Sequence, residues 1–471
     1  MKRSPYKGTK VLVMGLGLHG GGVATARWFA MRGALVTATD LRSKEVLKPS
    51  LQKLKGLPIT YVLGEHREED FRTNEIIVVN PGVPRESRYL AIAKKAKRQI
   101  INDAALFFRE VKGEVIGVTG TRGKTTTTSW IAELLRRHDP RVLPCGNTPQ
   151  NAFLNELLRV EGTKTPIVAE LSSWQLEHLP QTKRAPHIAV ITNLYPDHLN
   201  RYEGMNAYAN AKAGIFANQT EKDYLILNRD NEWCAFFAKK KRHSKLLYAT
   251  TAILPERYDG IFVRHHHAVI RVNGKEHVGP SLEKFRAQYG VHNLSNVLLA
   301  LLAIYLYDRT IVITEKELLK LRAPNMRQEI VKKWGDAIVV NDSCATSPDG
   351  VIAAIERFLA RGSVVLITGG TDKELNYQEL ANCIATHRAN IKLILLEGSG
   401  TTKLIQALKE RTLDIPKTHA TLESCVEEGL ALMRSSHAPT LLFSPGGSSF
   451  EKFLHEFDRG EQFNALIKKL A

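Results

Sequence analysis

Short apolar runs, each closed by glycine or polar residues, recur from one end of the chain to the other. Residues 10–14, 34–39 and 76–79 read as buried strands, as do 115–118, 166–169, 187–191 and 224–228. Residues 337–340, 364–368, 392–396 and 440–443 repeat the pattern. Helical spacing occupies stretches between them, such as 23–31 and the strongly apolar 297–307. Continuous apolar runs suit strands covered on both faces, and strand–helix alternation marks parallel sheets. Asn273-Gly274 signals a hairpin, and Arg264-His265-His266-His267 before it reads as part of a solvated hairpin rather than a metal site. The expected fold class is therefore α/β, with three Rossmann-like domains. Residues 110–114, EVKGE, look like a linker, and a new unit starts near Ala323-Pro-Asn-Met-Arg327. The expected boundaries are 1–110, 111–323 and 324–471.

Candidate chemistry collects where these strands end. Residues 115–118 run into Gly120-Thr121-Arg122-Gly123-Lys124-Thr125-Thr126, and a helix follows. Strand, glycine loop and helix together aim backbone N–H groups at a phosphate set on a helix N-terminus. Lys124 would reach the terminal phosphates, and the Thr125 hydroxyl would hold Mg²⁺. Val118 stands where a full phosphate-loop motif has its first glycine, so the match is incomplete. The plain alternative is a glycine turn with a solvated lysine. This loop makes the middle domain a P-loop ATPase-type unit. Glu170 and His198 each follow another strand expected beside the loop, where both would point at a metal on the nucleotide; singly, each reads as a polar loop residue. Gly15-Leu16-Gly17-Leu18-His19-Gly20 follows the first strand, with Asp40 about twenty residues on, a pattern for a diphosphate-bearing ligand. Asn80-Pro81-Gly82-Val83-Pro84 closes the third strand. Lys212, flanked by alanines, reads as an ordinary surface lysine.

Composition narrows this little. The chain has 471 residues, enough for about three domains. Lys and Arg number 66 against 48 for Asp and Glu, a net charge of +18 that favours anionic partners. No nucleic-acid module or aromatic-interleaved basic stretch appears, so the charge is read as dispersed over solvated faces with local nucleotide clefts. Five widely spaced cysteines suggest neither a zinc site nor a disulfide framework. No apolar run is long enough to cross a membrane, and MKRSPYKGTK lacks the apolar core of a signal peptide. A cytoplasmic enzyme is expected.

The motifs GLGLHG with Asp40, NPGVP, VTGTRGKTT, CGN at 145–147 and ELSSWQLE come in a familiar order. So do Asn193 with Asp197-His198, YANAK, HNLSN, Arg327, DSCAT, the lysine Lys373, SPGGSS and Asp458-Arg459-Gly460. In these the chain resembles the Mur ligases of peptidoglycan synthesis, and most closely the members that add D-glutamate to UDP-N-acetylmuramoyl-L-alanine. The resemblance implies one α/β domain for the UDP-sugar, a central ATPase domain and a C-terminal domain for the amino acid. It implies that Lys124 and Thr125 contact ATP phosphates and Mg²⁺, that Glu170 and His198 ligate metal, and that Lys212 is carbamylated. Asn293, Asn296, Arg327 and Asp342 match ATP-contacting positions. Gly17, Leu18, His19, Asp40, Asn80, Pro81 and Gly82 fall where the uridine diphosphate lies, with Asn147 and Ser172 near the muramoyl end. Thr346, Lys373 and Ser449 match glutamate-binding positions. The cofactors implied are ATP and Mg²⁺, with no nucleic-acid or membrane partner and a monomeric state.

Three positions depart from the family pattern. Cys344 stands where a lysine is usual, and a cysteine cannot supply that charge. Arg122 replaces an asparagine, and Glu456 aligns with an aromatic, although Phe453 and Phe457 are close by. A sister ligase that adds L-glutamate or another amino acid therefore stays open. A nicotinamide-dependent dehydrogenase, read from GLGLHG alone, leaves the phosphate loop unexplained. A basic P-loop protein that binds nucleic acid predicts salt-sensitive affinity.

Overall fold

A computed structural model describes residues 4–18, 20–146, 151–199 and 201–470. It divides into two compact units: Met1–Glu283 with Leu294–Leu321, and Lys284–Asn293 with Arg322–Ala471. Among the described residues, no helix is long and apolar enough to cross a membrane.

The first unit carries two sheets. One is built from β1 (Lys10–Met14), β2 (Leu35–Asp40), β3 (Ile59–Leu63), β4 (Ile76–Val79) and β5 (Gln99–Ile101). All its pairs are parallel, in the order β3-β2-β1-β4-β5. Strand order reverses at β1, so the glycine turn after β1 and the Asn80 loop after β4 open side by side, as ligand crevices in such sheets do. They fit closely: a Cβ on Gly15 (φ 89°) would lie 2.9 Å from the Asn80 Cβ.

The central sheet holds β6 (Val115–Thr119), β7 (Leu143–Cys145), β8 (Ile167–Glu170), β9 (Ile188–Ile191), β10 (Tyr224–Asn228) and β11 (Lys245–Ala249). It continues with β12 (Gly260–Arg264), β13 (His267–Val272) and β14 (Lys275–Ser281), in the order β14-β13-β12-β11-β10-β9-β6-β8-β7. β6 thus lies between β8 and β9, with Val118 opposite Glu170 and Thr119 opposite Ile191. The loops carrying Glu170 and His198 flank the glycine loop for this reason. The last strands are antiparallel, turning at Asn273-Gly274 as expected. The histidine stretch is a solvated hairpin, as expected. His265 and His266, with φ of 47° and 64°, are the turn itself, and only His267 enters β13.

Helix Asp103–Glu110 joins the two sheets into one apolar core, where the Phe107 and Phe153 rings are centred 5.0 Å apart. Each such buried side chain contributes roughly 1.5–3 kcal/mol. Asn102 caps that helix through Ala105 and donates its amide to the carbonyls of Trp174 and Gln175, 3.1 and 3.0 Å away.

In the second unit lie β15 (Glu329–Trp334), β16 (Ala337–Asn341), β17 (Val364–Thr368), β18 (Ile391–Leu396), β19 (Thr418–His419) and β20 (Thr440–Phe443). Their order is β15-β16-β20-β17-β18-β19, parallel except for edge strand β15. The loops after β16, β17 and β20 therefore open at one sheet edge. The fold class is α/β with three mostly parallel sheets, as the apolar pattern implies.

Candidate active site

The glycine loop is held from β9. Thr121 N–H donates to the Asn193 carbonyl (3.0 Å), Arg122 N–H to Asn193 Oδ1 (2.8 Å), and the Thr192 hydroxyl to the Arg122 carbonyl (2.6 Å). Only glycine fits at position 120, where a Cβ would sit 1.9 Å from Thr192 Oγ1. Gly123 starts helix Lys124–Arg136 with φ 76°, and no side chain caps that end. A phosphate suits such a terminus. Thr125 and Thr126 are half-buried on its first turn, and Lys124 Nζ donates to the Thr121 carbonyl at 3.0 Å. Asn296 closes over the loop: its Oδ1 accepts from Thr127 at 3.3 Å and would lie 2.2 Å from a Gly123 Cβ.

Lys212 is not a surface lysine. It is 1% exposed, donates to the Gly120 carbonyl at 2.7 Å, and lies 4.5 Å from the centre of the Tyr208 ring. Burial drives its pKa far below the ordinary lysine value. Lys124 and Arg122 push it down further, while Asp197 and Glu170 oppose them. The structure thus gathers Lys124, Arg122, Glu170 and Lys212 around one loop. His198 joins the group through Tyr208, their rings 5.9 Å apart, and holds a left-handed φ of 56°. Such backbone strain gathers at functional sites.

Asp197, Asn193 and Tyr208 enter the sequence reading only as members of motifs, with no role of their own. Asp197 accepts from Arg122 at 2.9 Å, and Tyr208 meets the Thr121 hydroxyl at 3.3 Å. One signal was available for Tyr208, which stands four residues before Lys212 and so shares its helix face.

At the first sheet, Asp40 is 5% exposed and braces the turn rather than pointing outward. Its oxygens accept from Gly17 N–H and Arg42 N–H, both at 2.9 Å. Leu18 is half-buried in that turn. Asn80 donates to the Gly15 carbonyl at 3.1 Å and accepts from Gly82 N–H at 3.3 Å, with Pro81 between them. Ser172 caps the short helix Ser173–Leu176 in a capping box with Gln175. His19 and Asn147 lie outside the described residues.

In the second unit, Asp342 accepts from Gln328 N–H (3.0 Å) and the Ser444 hydroxyl (2.8 Å). Burial raises its pKa to about 7, although those bonds and Arg327 act the other way. Cys344 is buried too, and its thiol is pushed up to about 12, so it carries no charge near neutrality. The wholly buried Arg459 donates to the carbonyls of Ser343, Gly447 and Ser448. It thereby ties the loop after β20 to the loop after β16. Lys373 Nζ donates to Thr346 Oγ1 at 3.2 Å. Ser449 is buried, and its hydroxyl has no partner among the described residues. Asn293, within the expected central domain, belongs to this unit and donates to the Tyr289 carbonyl at 2.8 Å.

Comparison with known proteins gives two family matches, which fall almost wholly within the first unit. Residues 9–102 match the Mur ligase MurD-like N-terminal domain, and residues 118–304 the Mur ligase middle domain. The chain is 37% identical over 477 residues to the UDP-N-acetylmuramoylalanine–D-glutamate ligase of Roseiflexus sp. (strain RS-1), covering 98% of both chains. It is 34% identical to the ligase of that name from Trichlorobacter lovleyi, covering 98% of this chain and 99% of that protein. Among solved structures, a MurF ligase from Thermotoga maritima in complex with ADP shares the fold. Its TM-score is 0.57 at 16% identity, over 99% of this chain and 97% of that one. A pseudomurein peptide ligase type C from Methanothermus fervidus gives 0.54 at 18%, over 98% and 100%. Likeness of this degree, sustained from end to end, assigns the chain to the Mur ligase family.

Proposed function

We propose that this chain is an ATP-dependent ligase that adds D-glutamate to UDP-N-acetylmuramoyl-L-alanine, in cytoplasmic peptidoglycan precursor synthesis. The observation that carries this reading is the buried Lys212 among Lys124, Arg122, Asp197 and Glu170 at the glycine loop. Full-length relatives of that name support it. In this reading residues 1–110 hold the UDP-sugar, 111–323 hold ATP, and 324–471 hold the amino acid.

The substrate carboxylate attacks the ATP γ-phosphate, and the resulting acyl phosphate gives the carbonyl a leaving group. The glutamate amine then attacks that carbonyl and phosphate departs. Lys124 stabilises the phosphate charge, and the loop N–H groups orient it. Arg327 and Asp342, in the second unit, match ATP-contacting positions of the family. Thr346, Lys373 and the unpartnered hydroxyl of Ser449 receive the amino acid.

Among the described residues, no cluster of three His, Cys, Asp or Glu side chains could hold a metal by itself. The set fits Mg²⁺ once Lys212 is a carbamate, joining Thr125, Glu170 and His198 with nucleotide oxygens. The lowered pKa of Lys212 favours the neutral amine, the form that adds carbon dioxide, and anionic carbamate oxygens suit a metal where an ammonium does not. When bound, Mg²⁺ neutralises phosphate charge.

The uncharged Cys344 favours one second reading, a sister ligase with another amino acid. A single assay separates the two. Purified protein with ATP, Mg²⁺ and UDP-N-acetylmuramoyl-L-alanine should release phosphate on addition of D-glutamate. Release that ignores D-glutamate but answers L-glutamate or another amino acid would overturn the first reading.

A further inference from the structure

Arg201 stands three residues after His198 and reaches the other sheet of the same unit. Its guanidinium donates to the carbonyls of Pro81 (3.3 Å) and Val83 (2.9 Å), in the loop after β4. It also meets the Glu177 carboxylate at 3.4 and 3.2 Å and lies 4.9 Å from the centre of the Trp174 ring. Trp174 in turn packs on His198, with ring centres 5.2 Å apart. The backbone N–H of Arg201 donates to the His198 carbonyl at 2.9 Å and closes the turn in which His198 takes its left-handed conformation.

Glu177 anchors this arrangement from a nearly buried position, its side chain 6% exposed. Burial alone would raise its pKa, but donors from Arg85 (2.9 Å), Arg201 and the Tyr202 hydroxyl (2.7 Å) bring it below the ordinary value. The carboxylate is thus ionised and fixes the guanidinium in one orientation. A guanidinium presents several donors in a rigid fork, which lets one side chain serve two carbonyls and a carboxylate together. The Pro81 and Val83 carbonyls and the Trp174 ring that packs on His198 thus share one guanidinium.

We propose that Arg201 is a positioning residue that ties occupation of the Asn80–Val83 loop by the UDP-linked substrate to the placement of His198. This rests on the functional reading above. The loop that binds the acceptor and the loop that serves the phosphate chemistry are then set together, so acceptor binding helps to assemble the reacting centre.

Kinetics of Arg201→Ala and Arg201→Lys test this. Loss of charge-assisted bonds should raise the KM for UDP-N-acetylmuramoyl-L-alanine and lower kcat by about tenfold each, with the KM for ATP within about twofold. Arg201→Lys keeps the cation but cannot span both carbonyls and Glu177, so it should retain the wild-type melting temperature yet not rescue the kinetics. A folded variant with wild-type kcat and acceptor KM would overturn the role. So would a KM for ATP that rises in step with the KM for the acceptor. Wild-type protein inert toward the acceptor would overturn the functional reading, and the Arg201 role with it.

Discussion

At the scale of single residues, the site divides into side chains whose role follows from spacing and side chains whose role follows from surroundings. Lys124 and Thr125 are of the first kind. A lysine and a hydroxyl directly after a loop glycine at a helix start are positioned for phosphates by local geometry alone. Lys124→Ala should lower phosphate release at least about a hundredfold, as loss of a preorganised charge contact does. Its melting temperature should stay near that of the wild type, and retained turnover would refute the assignment. Lys212 is of the second kind. Nothing in YANAK shows that its side-chain nitrogen lies under Gly120 and over Tyr208. Lys212→Ala should lose activity and regain part of it when short carboxylates are added; a fully active variant would rule out the carbamate. Cys344, legible as a missing charge, is a buried thiol held in the protonated form.

Elements set these residues in register. β6 lies between β8 and β9, so three strand ends deliver the glycine loop, Glu170 and the His198 loop to one edge. The apolar runs revealed the strands, but their order in the sheet is a long-range matter. Helix His292–Tyr307 adds Asn296, whose amide fills the space that a glycine leaves at 123. That contact makes a sharp prediction. In Gly123→Ala the new methyl meets Asn296 Oδ1 at 2.2 Å, and φ stays at 76°. The left-handed backbone alone costs roughly 1–2 kcal/mol. The variant should unfold at lower denaturant and show a raised KM for ATP, and wild-type values of both would show that the loop has more room than described. By contrast, the hairpin at Arg264–His267 is legible in sequence but its turning residues His265-His266 are not, because two histidines carry no turn signal comparable to Asn-Gly.

For the whole molecule, the consequence is a pH-dependent stability. In the fold Asp342 keeps its proton to about pH 7, against an ordinary value of 3.8. Between these values the folded chain binds more protons than the unfolded chain. This contribution to stability is therefore full below 3.8 and is lost as pH rises to about 7. Asp342→Asn removes it, so the melting temperature of the wild type should fall more steeply across that window than that of the variant. Parallel curves would show that Asp342 is ionised throughout. Of the cations behind the net charge of +18, Arg122 and Lys124 stand at the glycine loop.

The sequence by itself determined the central strands of the three sheets, where the glycine loop lies and to which family the chain belongs. Apolar runs, glycine spacing and motif order are local properties that survive without coordinates. Only the tertiary structure decided that Lys212 is buried, that Asp40 braces a backbone turn, and that Arg201 links the Pro81–Val83 loop to His198. Burial and hydrogen-bond partners come from segments far apart in the chain, and a pKa or an orientation is a property of those neighbours rather than of the residue.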